Sequence, residues 1–188
     1  MFTSRCDVFR WEGGVFPHEH DPLSRLWEYH VREIVFFGSE PDIQTWQSRY
    51  LAFLKWLGTG LSLPCELTTA SDTFFHPESV NLAIYQLIHE SKLEFRIRFE
   101  KSALAVSSFN FHAKHFTHSF HIEPGREALN SACIGFGLER ISYAFLAAME
   151  TDSSVRMETL LSLADDSRRY PWVSARGTKR PRRAARNA

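Results

Sequence analysis

The stretch SACIGFGLERI (131–141), with the apolar run SYAFLAAM (142–149) behind it, passes from a strand-like segment into a helix. Gly135-Phe136-Gly137 reads as a turn that lets another group approach the backbone closely, because glycine carries no Cβ. Glu139 and Arg140 then fall in the first turn of the helix, where backbone N–H groups and the dipole favour an anion. A guanidinium there offers phosphate a planar, permanently charged fork. Taken alone, the pattern also fits a tight strand-to-helix turn with an arginine on the surface. A second arginine-bearing element at Arg10, near the other end of the chain, tips the reading toward phosphate.

At 188 residues the chain fits one domain with its own core, and its 16 phenylalanines suit a broad sheet packed by helices. No apolar run approaches the ~20 residues that cross a membrane. The opening residues form a mixed polar and aromatic strand pattern rather than a secretory leader. Three cysteines in unrelated contexts make no disulfide framework, so the expected compartment is the cytoplasm. The zero net charge hides an asymmetry. Eight of the 22 Lys and Arg residues lie after Asp166 with no acid among them, leaving 14 basic against 22 acidic residues before it. Residues 1–166 are therefore expected to fold as the domain and 167–188 to form a mobile basic tail.

Taken in order, Thr3 to Trp11 has the β-branched and aromatic content of a strand, and a polar loop leads to a second strand from His30 to Gly38. Two strands joined by a long polar loop suggest an antiparallel pair carrying a functional loop. Ser39 to Asp42 is a helix start, and the spacing of Ile43, Trp46, Tyr50, Phe53, Leu54 and Leu57 predicts a helix to Trp56 or Leu57. Leu61 to Thr69 reads as a strand, and Leu82 to Ile88 fits strand or helix. Leu93 to Phe99 alternates cleanly, predicting a strand with one wet or ligand-facing side. Ala103 to Phe111 and Phe116 to Ile122 read as further strands. Antiparallel strands with a long helix on each side make an α+β layer architecture.

FRWE (9–12), a polar loop and WEYHVREIVFFG (27–38) resemble motif 2 of the class II aminoacyl-tRNA synthetases, and IGFGLERI (134–141) resembles their motif 3. ASDTFF (70–75), SFNFHAKHF (108–116) and a cysteine just before motif 3 narrow the likeness to the amino acid:carrier protein ligases, relatives of the atypical archaeal seryl-tRNA synthetases. The resemblance covers most of residues 5 to 147. It implies a class II catalytic domain that forms an aminoacyl-adenylate from ATP with Mg2+. By that resemblance Arg10 holds the α-phosphate and the carboxylate being activated, and Arg140 holds the γ-phosphate and lies over the adenine. Arg25 is a mobile phosphate contact, Glu12 meets the adenine amino group, Tyr29 stacks on the ring and Glu139 belongs to the same nucleotide site. Asn110, His112 and His115 are assigned to the wall of the amino acid pocket. From the residues alone, Arg10 and Glu12 also fit a solvated cross-strand pair.

The same resemblance implies a catalytic Zn2+ bound by Cys, Glu and Cys. Glu33 and Cys133 match the second and third ligands, while the first lies well upstream of motif 2 in the family; Cys6 is the candidate to replace it. His112, His115, His118 and His121, at intervals of three, would suit a metal on a helix, but the flanking phenylalanines read as strand, loop and strand. Motif 1, the dimerisation element, is expected before Met1. Three explanations compete: a late start, a shortened gene, or a partner chain. An acid-rich body is no tRNA-binding surface, which favours an acyl or peptidyl carrier protein as acceptor. The competing readings are a non-catalytic paralogue that binds nucleotide or a protein, a tRNA synthetase fragment, and a His-rich metal-storage module.

Overall fold

The computed structural model describes residues 1–9, 23, 26–60, 64–71, 91–99, 103–122, 129–151 and 162. Strands β1 (Phe2–Phe9) and β2 (Glu28–Gly38) precede helix α1 (Glu40–Gly60). Then come β3 (Cys65–Thr69), β4 (Lys92–Arg98), β5 (Ala103–Ala113), a short helix α2 (His115–Ser119), β6 (Asn130–Gly137) and α3 (Leu138–Thr151). The strands form one six-stranded antiparallel sheet in the order β1-β2-β6-β5-β4-β3. The last of the described strands thus enters the middle of the sheet and joins its two halves. This α+β architecture agrees with the expectation from strand patterning.

Alternation along the central strands divides the sheet into two unlike faces. On one, Phe36, Phe95, Phe109, Ala132 and Ile134 are buried, and α1 adds Ile43, Tyr50 and Leu54 to the same core. Ring contacts cross this layer: Trp46 stacks on Phe36 at 5.6 Å and Phe53 meets Phe136 edge-on at 6.2 Å. Ile141, Ala144 and Phe145 of α3 border the same small void as Leu54 and Leu57 of α1. Both long helices among the described residues therefore pack on one face. The opposite face carries Glu33, Cys133, Gly135, Ser108, Asn110 and Glu94.

The β2-to-α1 turn is built from side-chain capping. Ser39 donates its backbone N–H (3.0 Å) and its hydroxyl (2.6 Å) to Asp42 Oδ2, while the Asp42 N–H points back at Ser39 Oγ (3.4 Å). This reciprocal box satisfies donors that an uncapped helix start leaves open. A Cβ on Gly38 would lie 2.8 Å from that of Asp42, so the tight approach needs glycine. The hydrogen bonds from Ser39 hold the Asp42 carboxyl below its ordinary value. The capping contribution is therefore present above the unfolded pKa and lost as pH falls through the lower folded one. Ser39→Ala is expected to lower unfolding free energy by about 1 kcal/mol in urea at pH 7, and Asp42→Asn to flatten the acid side of the stability profile.

Residues 116 to 122 depart from the strand expectation. Ala113 takes a left-handed φ of 48° at the end of β5, and the chain turns into α2. Phe116 and Phe120, read as strand positions, stack one helical turn apart with ring centres 6.3 Å apart. Buried Thr117 anchors the turn by donating to the Leu129 carbonyl at 2.6 Å. Gly135-Phe136-Gly137 is likewise not a turn but the end of β6, and the helix begins directly at Leu138. Arg10, Glu12, Arg25, residues 72–90 and the 167–188 tail lie outside the described residues.

Candidate active site

The face of the sheet opposite the two long helices carries a cleft of about 850 Å³. Its floor follows from register. Glu33 pairs with Gly135, Gly135 with Ser108, and Ser108 with Glu94, so two small residues lie between two glutamates in one row across four strands. In the next row Val35 pairs with Cys133, Cys133 with Asn110 and Asn110 with Lys92. Lys92 is only 9 % exposed, and its ammonium lies 3.7 Å from Glu94 Oε1. The ligand-facing side read from the alternation of β4 is this wall.

Tyr29, Glu33, Asn110, His112, His115, Cys133, Glu139 and Arg140 all line the cleft. Cys133 Sγ has Asn110 Nδ2 at 3.5 Å and His112 Nε2 at 3.6 Å. Cys6 does not join them. It pairs with Val31, two strands from Cys133 and four residues out of line with it, a separation on the order of 15 Å. A catalytic zinc takes three protein ligands at bonding distance. Among the described residues no group of three or more His, Cys, Asp or Glu is placed to hold a metal. The described donors do not by themselves fit zinc.

At the other end of the cleft, β6 delivers motif 3. Arg140 donates from Nε to the Leu23 carbonyl and from Nη1 to the Ala105 carbonyl, both at 3.0 Å. The guanidinium therefore ties the first long loop to β5 while bordering the cleft. Beside it, Glu139 accepts the His30 backbone N–H on both carboxylate oxygens at 3.0 Å, with His30 Nδ1 2.5 Å from Oε1. Burial pushes the Glu139 carboxyl up; the bonds from His30 outweigh it and leave the group below its ordinary value. His30 Nε2 in turn faces Asp7 Oδ1 at 3.3 Å. His30 and Asp7 carried no signal in the sequence, since His30's partner Glu139 is 109 residues away and Asp7 enters only through His30.

No family model matches the sequence. The chain is 30% identical over 156 residues to amino acid–[acyl-carrier-protein] ligase 1 of Bradyrhizobium diazoefficiens, covering 81% of this chain and 46% of the relative. To ligase 2 of the same organism it is 28% identical over 176 residues, covering 90% and 51%. A type-2 serine–tRNA ligase of Methanococcus maripaludis is 28% identical over 147 residues, covering 74% of this chain and 28% of the relative. The structure of M. kandleri SerRS in complex with A. aeolicus tRNASec superposes with a TM-score of 0.63 at 22% identity, covering 88% of this chain and 34% of that one. Over most of its length the chain is thus similar to amino acid–[acyl-carrier-protein] ligases and type-2 serine–tRNA ligases, and it shares the fold of SerRS.

In this chain, β1 and β2 are the antiparallel pair that resembles motif 2, and β6 with α3 is the segment that resembles motif 3. The chain spans about half the length of the carrier-protein ligases it matches. Gly135 lies in the floor of the cleft, between Glu33 and Ser108. A Cβ there would make ordinary contacts, 3.6 Å to Ser108 Oγ and 3.9 Å to Val31 Cγ1, and the backbone is outside the left-handed region. Gly135→Ala is expected to fold and bind as the parent does. Gly135→Leu is expected to keep the circular dichroism spectrum but lose on the order of 10²-fold in ligand affinity by calorimetry, since the added isobutyl group fills the row between Glu33 and Ser108.

Proposed function

We propose that this chain carries a centre for ATP-dependent activation of a small amino acid, followed by transfer to the phosphopantetheine thiol of a carrier protein. The observation that carries the reading is the meeting of Glu33, Asn110, Cys133 and the motif 3 arginine, Arg140, along one cleft. In the first step an oxygen of the amino acid carboxylate attacks the α-phosphorus of ATP and the bond to the β-phosphate oxygen breaks, releasing pyrophosphate. In the second, the carrier thiol attacks the adenylate carbonyl and AMP leaves, with the thiol proton lost to solvent.

Charge builds on the phosphates in the first step, and preorganised cations lower its barrier. Arg140 takes the γ-phosphate in this reading, and Arg10 the α-phosphate and carboxylate. Glu12, Arg25 and Tyr29 hold the nucleotide as the family resemblance implies, and Mg2+ accompanies ATP as part of the substrate. Asn110, His112 and His115 bound the amino acid. The cytoplasm is the proposed compartment, and no helix among the described residues is long and apolar enough to cross a membrane.

ATP–pyrophosphate exchange with a panel of small amino acids tests the activation step. Incubation of the activated amino acid with purified holo-carrier or with tRNA then tests the acceptor. Charging of tRNA alone would replace the carrier by tRNA. ATP binding without exchange for any amino acid would replace this reading by a non-catalytic paralogue.

A further inference from the structure

We propose that His30 is a positioning residue for the nucleotide end of the cleft, holding Glu139 and, through the first turn of α3, the neighbouring Arg140. This rests on the nucleotide reading for its consequence, though not for its geometry. Pairing of β2 with β6 ends at Val31 and Gly137, where β6 gives way to the helix. His30 is the next residue of β2, and its N–H has no β6 residue opposite. Glu139 fills that gap: its two carboxylate oxygens accept the His30 N–H at 3.0 Å each. The ring adds a further contact from Nδ1 to Oε1.

A carboxylate held by a main-chain donor and a ring nitrogen at once has little freedom to turn. The opposite edge of the ring is fixed as well, because Nε2 faces Asp7 Oδ1 at 3.3 Å across the β1–β2 pair. Asp7 from β1 and Glu139 from α3 thus clamp one imidazole between them. Arg140 follows Glu139 directly in the first turn of α3, so the anchored carboxylate sets how that turn leaves β6, while the guanidinium is held further out at the Leu23 and Ala105 carbonyls. The strand that resembles motif 2 therefore fixes the arginine of motif 3 through a contact that neither motif contains by itself.

Three variants separate positioning from mere stability. His30→Ala removes both ring contacts, His30→Asn keeps a donor where Nδ1 stands, and Asp7→Asn weakens only the outer contact. The expected result in ATP–pyrophosphate exchange is a rise of about tenfold in KM for ATP in His30→Ala, with kcat changed less than about threefold and KM for the amino acid unchanged. His30→Asn should recover most of the loss, and Asp7→Asn should fall between. A readout that needs no nucleotide is the Arg140 Nε–H signal in 15N NMR, assigned by its disappearance in Arg140→Lys. It is expected to move or broaden in His30→Ala and to return in His30→Asn. An unchanged Arg140 signal in His30→Ala overturns the inference whatever the kinetics show. So does an equal loss in His30→Ala and His30→Asn that follows their thermal midpoints. A shifted Arg140 signal in a chain that binds no ATP would keep the positioning role and reject the nucleotide reading.

Discussion

Arg140→Ala is expected to lower ATP–pyrophosphate exchange by on the order of 10²–10³-fold, the loss typical when one preorganised charge partner is removed from a transition state. The side chain sits where such a partner has to be, bordering the cleft in the first turn of α3 with Nε and Nη1 fixed by main-chain oxygens. Those same bonds predict a structural cost, about 2 kcal/mol for the lost charge-assisted contacts to Leu23 and Ala105. The two effects separate cleanly. Arg140→Lys keeps the charge but not the fork, so it is expected to recover part of the exchange while recovering little of the urea stability. Assays well below the unfolding transition, with urea curves alongside, check both. Exchange within threefold of the parent in Arg140→Ala would remove this arginine from the chemistry.

Local signals carried much of this fold. The helical spacing of Ile43, Trp46, Tyr50 and Leu54 is the buried face of α1, and the alternation of Leu93, Phe95 and Ile97 is the core side of β4. The strand-to-helix passage at 131–149 was legible because apolar period and a glycine pair change together there. Where the reading failed, two periods competed. Phe116 and Phe120 are four apart, which suits one helical turn as well as one side of a strand, and only the turn at Ala113 and the Thr117 anchor decide. Which residues line the polar face of the sheet also went unread, since that requires the order of strands. Insertion of β6 between β2 and β5 creates that order from pairs 18 to 106 residues apart. The cleft is a product of the same insertion: Glu33, Cys133 and Asn110 become neighbours only once β6 is in the middle. Cys6 shows the limit of motif matching, because its chemistry suited the missing ligand and its register did not.

Tyr50→Ala is expected to cost about 4 kcal/mol in unfolding free energy, the range for removing a large aromatic from a closed core. Tyr50 has no exposed surface, stacks on Phe109 at 6.2 Å and meets Phe136 edge-on at 6.3 Å. Its hydroxyl donates to Ser107 Oγ at 2.8 Å, and Ser107 donates onward to the Gly135 carbonyl, also at 2.8 Å. The chain of bonds links the helix layer to the residue that floors the cleft. Tyr50→Phe keeps the packing and breaks only the first link, so about 1 kcal/mol is expected, with a small rise in KM if Gly135 shifts. Burial, opposed by the Ser107 contact, pushes the phenol well above its ordinary value. A raised pKa means that the folded state holds the proton longer than the unfolded one, so this contribution is complete below pH ~10 and lost as pH rises beyond it. Alkaline unfolding should therefore be shallower in Tyr50→Phe than in the parent. Against a total stability of about 5–15 kcal/mol for a domain, Tyr50→Ala should leave a population unfolded at room temperature in modest urea. A loss below about 1 kcal/mol would mean that α1 does not pack on the sheet through this ring.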